Sequence, residues 1–330
     1  MSAAPTPGNR IAVVTGASSG IGAASARKLA EAGYRVVLTA RRKDRVEALA
    51  AELTEAGHSV TAYPLDVTDR SAVDEFATAF QKIAVLVNNA GGALGADPVA
   101  ASSPDDWRQM YETNVIGTLN ITQALLPALT ASGDGTVVVI SSTAGLATYE
   151  GGAGYVAAKH GEHVLAETLR LEIVGTPVRV IEIAPGMVKT DEFALTRFRG
   201  DTEKAAKVYA GVAEPLTAED VADTVAWAVT RPSHVNVDLL VLRPRAQASN
   251  TKVHRSCDPP MTASATGPHA PGPDDPAPGP PERPVATPQE RRRLAEETRT
   301  EKYVWWSLGY FFFGIHIVAF VMIYAVTHAR

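Results

Sequence analysis

From Arg10 to Leu242, short runs rich in β-branched residues alternate with longer, alanine-rich stretches in which apolar residues recur at helical spacing. A strand buried on both faces reads as a continuous apolar run, and a covering helix reads as one apolar stripe. The alternation therefore restricts this chain to a parallel sheet flanked by helices. The pattern predicts strands over Arg10–Thr15, Tyr34–Ala40, Ser59–Pro64, Ala84–Asn88, Thr136–Ser141, Val178–Ile183 and Asp238–Leu242. It predicts helices over Ile21–Ala32, Lys43–Ala56, Ser71–Gln81, Ser103–Leu129, Tyr155–Ile173 and Ala218–Thr230. Seven strands linked by right-handed crossovers form a doubly wound α/β sheet, which binds ligands outside the carboxyl ends of its strands.

The chain has 330 residues, and the alternation stops after Arg255, so one core domain over 1–255 plus an appendage is expected. Of 22 prolines, 11 fall between Pro259 and Pro288 with almost no large apolar residue among them. Such a stretch cannot offset the entropy of ordering, and residues 256–288 are expected to be a disordered linker. Residues 289–330 are expected to form a charged juxtamembrane stretch and one transmembrane helix at 304–327. Those 24 residues carry no formal charge, and as a helix they would span about 36 Å against about 30 Å of hydrocarbon. Trp305, Trp306, Tyr310 and Tyr324 lie toward the ends of the segment. Arg291, Arg292, Arg293, Arg299 and Lys302 precede it, with Arg330 beyond. That asymmetry implies a single-pass anchor in the cytoplasmic membrane with the core domain in the cytoplasm. An amphipathic core helix is the alternative, but apolar residues encircle this segment. His316, mid-span, is either functional or a neutral imidazole with one hydrogen-bond partner. A tail joined by gene fusion or a reading-frame error would leave the core domain cytoplasmic and unanchored.

A net charge of −5, with no basic stripe in the first 255 residues, argues against nucleic acid as a partner. The lone Cys257 cannot form an internal disulfide, which fits a reducing compartment. No metal-ligand set is read.

The first strand runs into Thr15-Gly16-Ala17-Ser18-Ser19-Gly20-Ile21-Gly22. Glycines between a strand and a helix let backbone N–H groups and the helix N-terminus approach a pyrophosphate, so the sheet is of the dinucleotide-binding Rossmann type. The spacing is Gly-x-x-x-Gly-x-Gly, unlike the commoner Gly-x-Gly-x-x-Gly. The second strand ends in Ala40-Arg41-Arg42, where NAD-binding sheets place an acidic residue on the ribose hydroxyls. Two arginines suit a ribose 2′-phosphate, which selects NADP; an ordinary surface role is the alternative for Arg42. Asp66 and Val67 follow the third strand, placed to meet the adenine amino group. Asn88-Asn89-Ala90-Gly91 follows the fourth, and its amides either hold backbone near the ribose or cap the loop.

Tyr155 and Lys159 share a helix face, and Ser142 ends the strand before them. Hydride transfer to a carbonyl needs a proton for the new alkoxide and a donor to the carbonyl oxygen. A phenol of pKa about 10 becomes competent at neutral pH only with about 4 kcal/mol of differential stabilisation. A neighbouring ammonium and an oxidised nicotinamide could supply it, and Lys159 can also bind ribose hydroxyls. Asn114, polar within an apolar helix, is expected to satisfy a buried backbone group or a water.

Taken together, the Thr-Gly-x-x-x-Gly-x-Gly turn, Asn88-Asn89-Ala90-Gly91, Asn114, Ser142, Tyr155, Lys159, and Pro185-Gly186 followed by Thr190 resemble the short-chain dehydrogenases/reductases, over residues 10–255. The resemblance implies Tyr155 as general acid-base and Ser142 as the donor orienting the substrate carbonyl. It further implies Lys159 as the pKa-lowering, ribose-binding residue and Asn114 as keeper of a relay water. It extends the cofactor set to Pro185, Gly186, Val188 and Thr190, and it implies a homotetramer through the helices near 103–129 and 155–173. The segments Asn88–Leu94, Phe198–Asp201, His234–Val237 and Arg243-Pro244 resemble NADP-dependent 3-hydroxy acid dehydrogenases, which act on serine or allo-threonine and reduce malonic semialdehyde. An acidic substrate calls for a cation, and among Lys189, Arg197 and Arg199 the choice falls on Arg197. Two other functions stay open: reduction of a larger or membrane-borne ketone, and nucleotide binding without turnover.

Overall fold

The computed structural model of the chain describes residues 10–256. Seven strands form one sheet: β1 (Ile11–Thr15), β2 (Arg35–Ala40), β3 (Val60–Pro64), β4 (Val85–Asn88), β5 (Gly135–Ile140), β6 (Val178–Pro185) and β7 (Leu239–Leu242). Their order is β3-β2-β1-β4-β5-β6-β7, and every neighbouring pair is parallel. The chain reverses direction across the sheet between β1 and β4, which opens a crevice at their carboxyl ends.

Helices α1 (Gly20–Glu31), α2 (Lys43–Glu55), α3 (Arg70–Ala77), α4 (Pro104–Tyr111), α5 (Gly117–Ala131), α6 (Ala153–Glu172), α7 (Phe193–Arg197), α8 (Thr202–Tyr209) and α9 (Ala218–Val229) complete the described residues. Side chains alternate across a strand, so one strand feeds two cores. Ala12, Val14, Leu38, Val138 and Ile183 pack with α1, α2 and α9. Val13, Val37, Val137, Val139 and Val180 pack with α3, α5 and α6. Burial on both faces accounts for the unbroken apolar runs in the sequence.

The single helix expected over Ser103–Leu129 is interrupted. Between α4 and α5 lies a π-helical turn, Glu112–Ile116, with Asn114 at its centre. The Asn114 amide donates to Met110 O at 2.7 Å and to Gly92 O at 3.0 Å, and its Oδ1 accepts from Gly92 N at 3.2 Å. The expectation of a buried backbone partner is thus met by the loop after β4. The short helices α7 and α8 were not expected; Asp201 caps α8 through Lys204 N.

The membrane anchor is corrected. Among the described residues no helix is long and apolar enough to cross a membrane. The longest, α6, carries Lys159, Glu162, Glu167, Arg170 and Glu172. The linker, Cys257, the segment 304–327 and His316 lie outside the described residues, and a placement on the cytoplasmic membrane is not retained.

Candidate active site

A cleft of about 630 Å³ runs along the carboxyl ends of the strands, within the range of small-molecule and cofactor sites. At its β1 end, Gly16 and Gly20 adopt φ of +65° and +52°, which turns the strand into α1. A Cβ on Gly16 would lie 2.8 Å from Asn89 Nδ2 and 2.9 Å from Ala90 Cα. The turn is therefore clamped against the β4 loop. Thr15 and Gly22 sit behind the wall and do not line the cleft. The Thr15 hydroxyl donates to Val87 O at 3.2 Å and accepts from Asn89 N at 2.9 Å and Ala90 N at 3.0 Å. Ser18, Ser19, Gly20 and Ile21 form the wall itself. Asn89 lines the cleft and ties the loop down through Thr15 O at 3.0 Å.

Arg41 and Arg42 line the mouth beyond β2. The Arg42 guanidinium donates to Ser18 Oγ at 2.7 Å and Ser19 Oγ at 2.9 Å, so it stands beside the glycine turn. It also pairs with Glu192 at 2.7 Å, and Arg45 pairs with the same carboxylate. Burial works against the Glu192 carboxylate, but hydrogen bonds from Ser19 and Arg42 bring its pKa below the ordinary value. Asp66 and Val67 line the cleft beyond β3. Thr68 donates to Asp66 Oδ1 from N at 3.0 Å and from Oγ1 at 2.8 Å, and Val67 O accepts from Asn120 at 3.1 Å.

Ser142, Tyr155 and Lys159 meet at the centre of the cleft. Ser142 Oγ accepts from Ala144 N at 3.1 Å and donates to Pro185 O at a long 3.4 Å, a weak bond that the hydroxyl can leave by turning toward the cleft. Tyr155, 9 % exposed, packs edge-on against Phe193 of α7 with ring centroids 5.8 Å apart. Burial pushes its phenol up, and the Lys159 ammonium and the Ser142 hydroxyl pull it partly back, leaving it above the ordinary tyrosine value. The lowering expected from Lys159 is present but does not by itself bring the phenol to neutrality. Asn114, wholly buried, does not line the cleft; it sets the Gly91–Gly92 wall from behind.

Pro185, Gly186, Val188 and Thr190 line the β6 side. Arg197 also lines it, but its guanidinium is engaged: Nε donates to Gly95 O at 2.9 Å, Nη1 to Tyr149 Oη at 3.2 Å and Nη2 to Gly151 O at 3.2 Å. Arg199 pairs with Asp106 at 2.6 Å, and neither it nor Lys189 reaches the cleft. Several lining residues escaped the sequence reading. Gln247 accepts from Met187 N at 2.8 Å, Asn250 donates to Thr143 O at 2.9 Å, and Arg255 donates to Val208 O at 3.0 Å. They belong to a segment after β7 that has no periodicity and folds back over the site. Tyr149 and Tyr209 also line the cleft.

Comparison with known proteins agrees with this geometry. The family model described as short chain dehydrogenase matches residues 10–198. An uncharacterized oxidoreductase of Mycobacterium tuberculosis is 54 % identical over 243 residues, covering 74 % of this chain and 94 % of that protein. The NADP-dependent 3-hydroxy acid dehydrogenase YdfG of Salmonella typhi is 41 % identical over 251 residues, covering 74 % and 100 % respectively. Among solved structures, the closed form of a serine dehydrogenase complexed with NADP+ superposes with a TM-score of 0.69 at 39 % identity, covering 74 % of this chain and all of that one.

Proposed function

The chain belongs to the short-chain dehydrogenases, and on that premise we propose that it interconverts a short 3-hydroxy acid, of the serine, allo-threonine or 3-hydroxypropionate type, and its 3-oxo product. It is an oxidoreductase acting on CH–OH groups, and its cofactor is NADP. The observation that supports the reaction is the convergence of Ser142, Tyr155 and Lys159 on one wall of a cleft whose other end carries the glycine turn and Arg42.

The residues present fit the nucleotide. Gly20 lines the cleft at the start of α1, and a Cβ there would lie 3.3 Å from Thr190 Cγ2, so the glycine keeps room for a pyrophosphate at the helix N-terminus. Arg42, Arg41 and Ser18 would hold the 2′-phosphate, with Ala40 in place of an acidic residue. Asp66 and Val67 would meet the adenine, Asn89 the ribose wall, Lys159 the nicotinamide ribose, and Pro185, Gly186, Val188 and Thr190 the nicotinamide side. When bound, NADP supplies or accepts the hydride.

Tyr155 Oη gives its proton to the substrate oxygen as the carbonyl is reduced, and takes it back in the oxidative direction. Ser142 Oγ donates to the same oxygen and stabilises the charge that develops on it. Arg197, fixed by Gly95, Tyr149 and Gly151, presents a cation at the substrate end; Arg255 lines the same cleft and is a second cation there. The catalytic domain comprises residues 1–255. Tyr111, Val164, Leu171 and Val174, exposed apolar residues in or next to α4 and α6, support the homotetramer implied by the family resemblance.

The test is a steady-state NADP-linked assay of the full chain across small hydroxy acids and ketones. Turnover of serine or 3-hydroxypropionate is expected. Activity confined to hydrophobic ketones would overturn the substrate assignment.

A further inference from the structure

Lys159 has a partner that the reaction outlined above does not use. It is 5 % exposed, and Glu162, one turn further along α6, is 1 % exposed. Lys159 Nζ donates to Glu162 Oε2 at 2.5 Å and to Ile140 O, at the end of β5, at 3.0 Å. From α5, the Thr118 hydroxyl donates to Glu162 Oε1 at 3.3 Å. Both carboxylate oxygens are thus engaged. Two of the three ammonium protons are committed inside the protein, which aims the third at the cleft. The backbone beneath is fixed as well, because a Cβ on Gly145 would lie 2.8 Å from Lys159 O.

We propose that Glu162 is a positioning residue, a buried counter-ion that fixes Lys159 Nζ between β5 and the cleft and keeps it an ammonium when the nucleotide ribose is bound. The inference rests on the reading that Lys159 faces that ribose. A solitary buried ammonium tends to shed its proton, whereas one paired at hydrogen-bond distance keeps it. Burial alone would lower the pKa of Lys159, and Glu162, helped by Tyr155 and Glu182, more than reverses this, so that it lies above the free-lysine value. The charged and titratable groups around the ammonium are Tyr155 and Glu162 on α6 and Glu182 on β6, with Tyr149 acting on Tyr155 from the loop after β5. Glu182 Oε2 is itself tied to His163 Nδ1 at 2.7 Å and its buried Oε1 has no partner among the described residues, so it acts on the ammonium from a second layer, without a hydrogen bond to it.

The experiment compares full-length wild type with Glu162→Gln, which keeps the shape and one acceptor but removes the charge. NADPH affinity is measured by fluorescence titration from about pH 7 to about pH 9.5, alongside thermal melts and steady-state turnover. In wild type the affinity is expected to hold within about twofold across that range. In the variant it falls by about tenfold toward the alkaline end, one decade for each unit by which Lys159 titrates earlier. A folded Glu162→Gln protein whose affinity follows the wild-type pH profile overturns the proposal. Should that variant not fold, Glu162→Asp keeps the charge but shortens its reach; a raised KM for NADP with an unchanged pH limb supports positioning, and an unchanged KM overturns it. If wild type binds NADPH without turning over any hydroxy acid, the substrate reading fails while the Glu162 inference stands on the binding profiles.

Discussion

Asn114→Ala isolates the contribution of the interrupted helix. The side chain is fully buried and makes three hydrogen bonds, two to Gly92 and one to Met110 O. At about 1 kcal/mol net for each, with part of the loop able to recruit water, the loss comes to about 3 kcal/mol. For a domain of this size each kcal/mol shifts Tm by about 2–4 °C, so the melt should fall by about 6–12 °C. The same geometry makes a sharper demand. Asn114 Oδ1 occupies the space that a Cβ on Gly91 would need. Gly91→Ala should therefore destabilise wild type by at least as much as a modest overpacking, about 1–3 kcal/mol, yet cost far less in the Asn114→Ala background. Circular dichroism melts of the two single variants and the double variant measure the coupling. Strict additivity, or a drop of less than about 2 °C for Asn114→Ala, which is under 1 kcal/mol, would refute the role assigned to this side chain.

Tyr155→Phe should lower NADP-linked turnover by about 10²–10⁴-fold while NADPH affinity and the melt stay near wild type; retained turnover would remove the phenol from the reaction. Arg42→Ala should raise KM for NADP by about tenfold and leave KM for NAD unchanged, the low end for a charge-assisted contact because the side chain is 43 % exposed. Arg197→Met should weaken both the substrate end of the cleft and the acid preference, seen as a rise in KM for hydroxy acids of about tenfold, whereas an unchanged KM would assign the cation to Arg255. Because the pKa of Lys159 is raised by folding, its stabilising contribution is complete below the unfolded lysine value and disappears as pH rises through the folded one. Alkaline unfolding should accordingly set in at lower pH in Glu162→Gln than in wild type, as read by tryptophan fluorescence.

The sheet was legible because each strand is a β-branched run between helices of clear period, and all seven strands lie within a few residues of their expected places. Ser142, Tyr155, Lys159 and the glycine turn were legible from spacing, since four residues make one helical turn and a strand end fixes the next loop. The π turn was not, because apolar periodicity runs unbroken from Trp107 to Leu129 and Asn114 looks like one polar intruder. Charged residues on a helix read as a solvated face, so the burial of Glu162 left no trace until the packing of α6 against β5 and β6 was visible. The loop helices α7 and α8 are too short for a period to declare itself. The segment holding Gln247, Asn250 and Arg255 has no period, and its place over the cleft is decided by hydrogen bonds from residues up to 107 positions away.

The turn at Glu112–Ile116 also gives one stretch of the helical layer room to lose one residue and no more. Each residue winds an α-helix by about 100°, and a π turn is one residue longer than an α turn. Deleting a single residue there would relax the bulge into ordinary winding and leave everything downstream close to its present phase; deleting a second would rotate it by roughly that angle. Thr118 would swing off Glu162 and Asn120 off Val67, although neither residue had been altered. An insertion in the loop between β3 and α3 would leave that phase untouched.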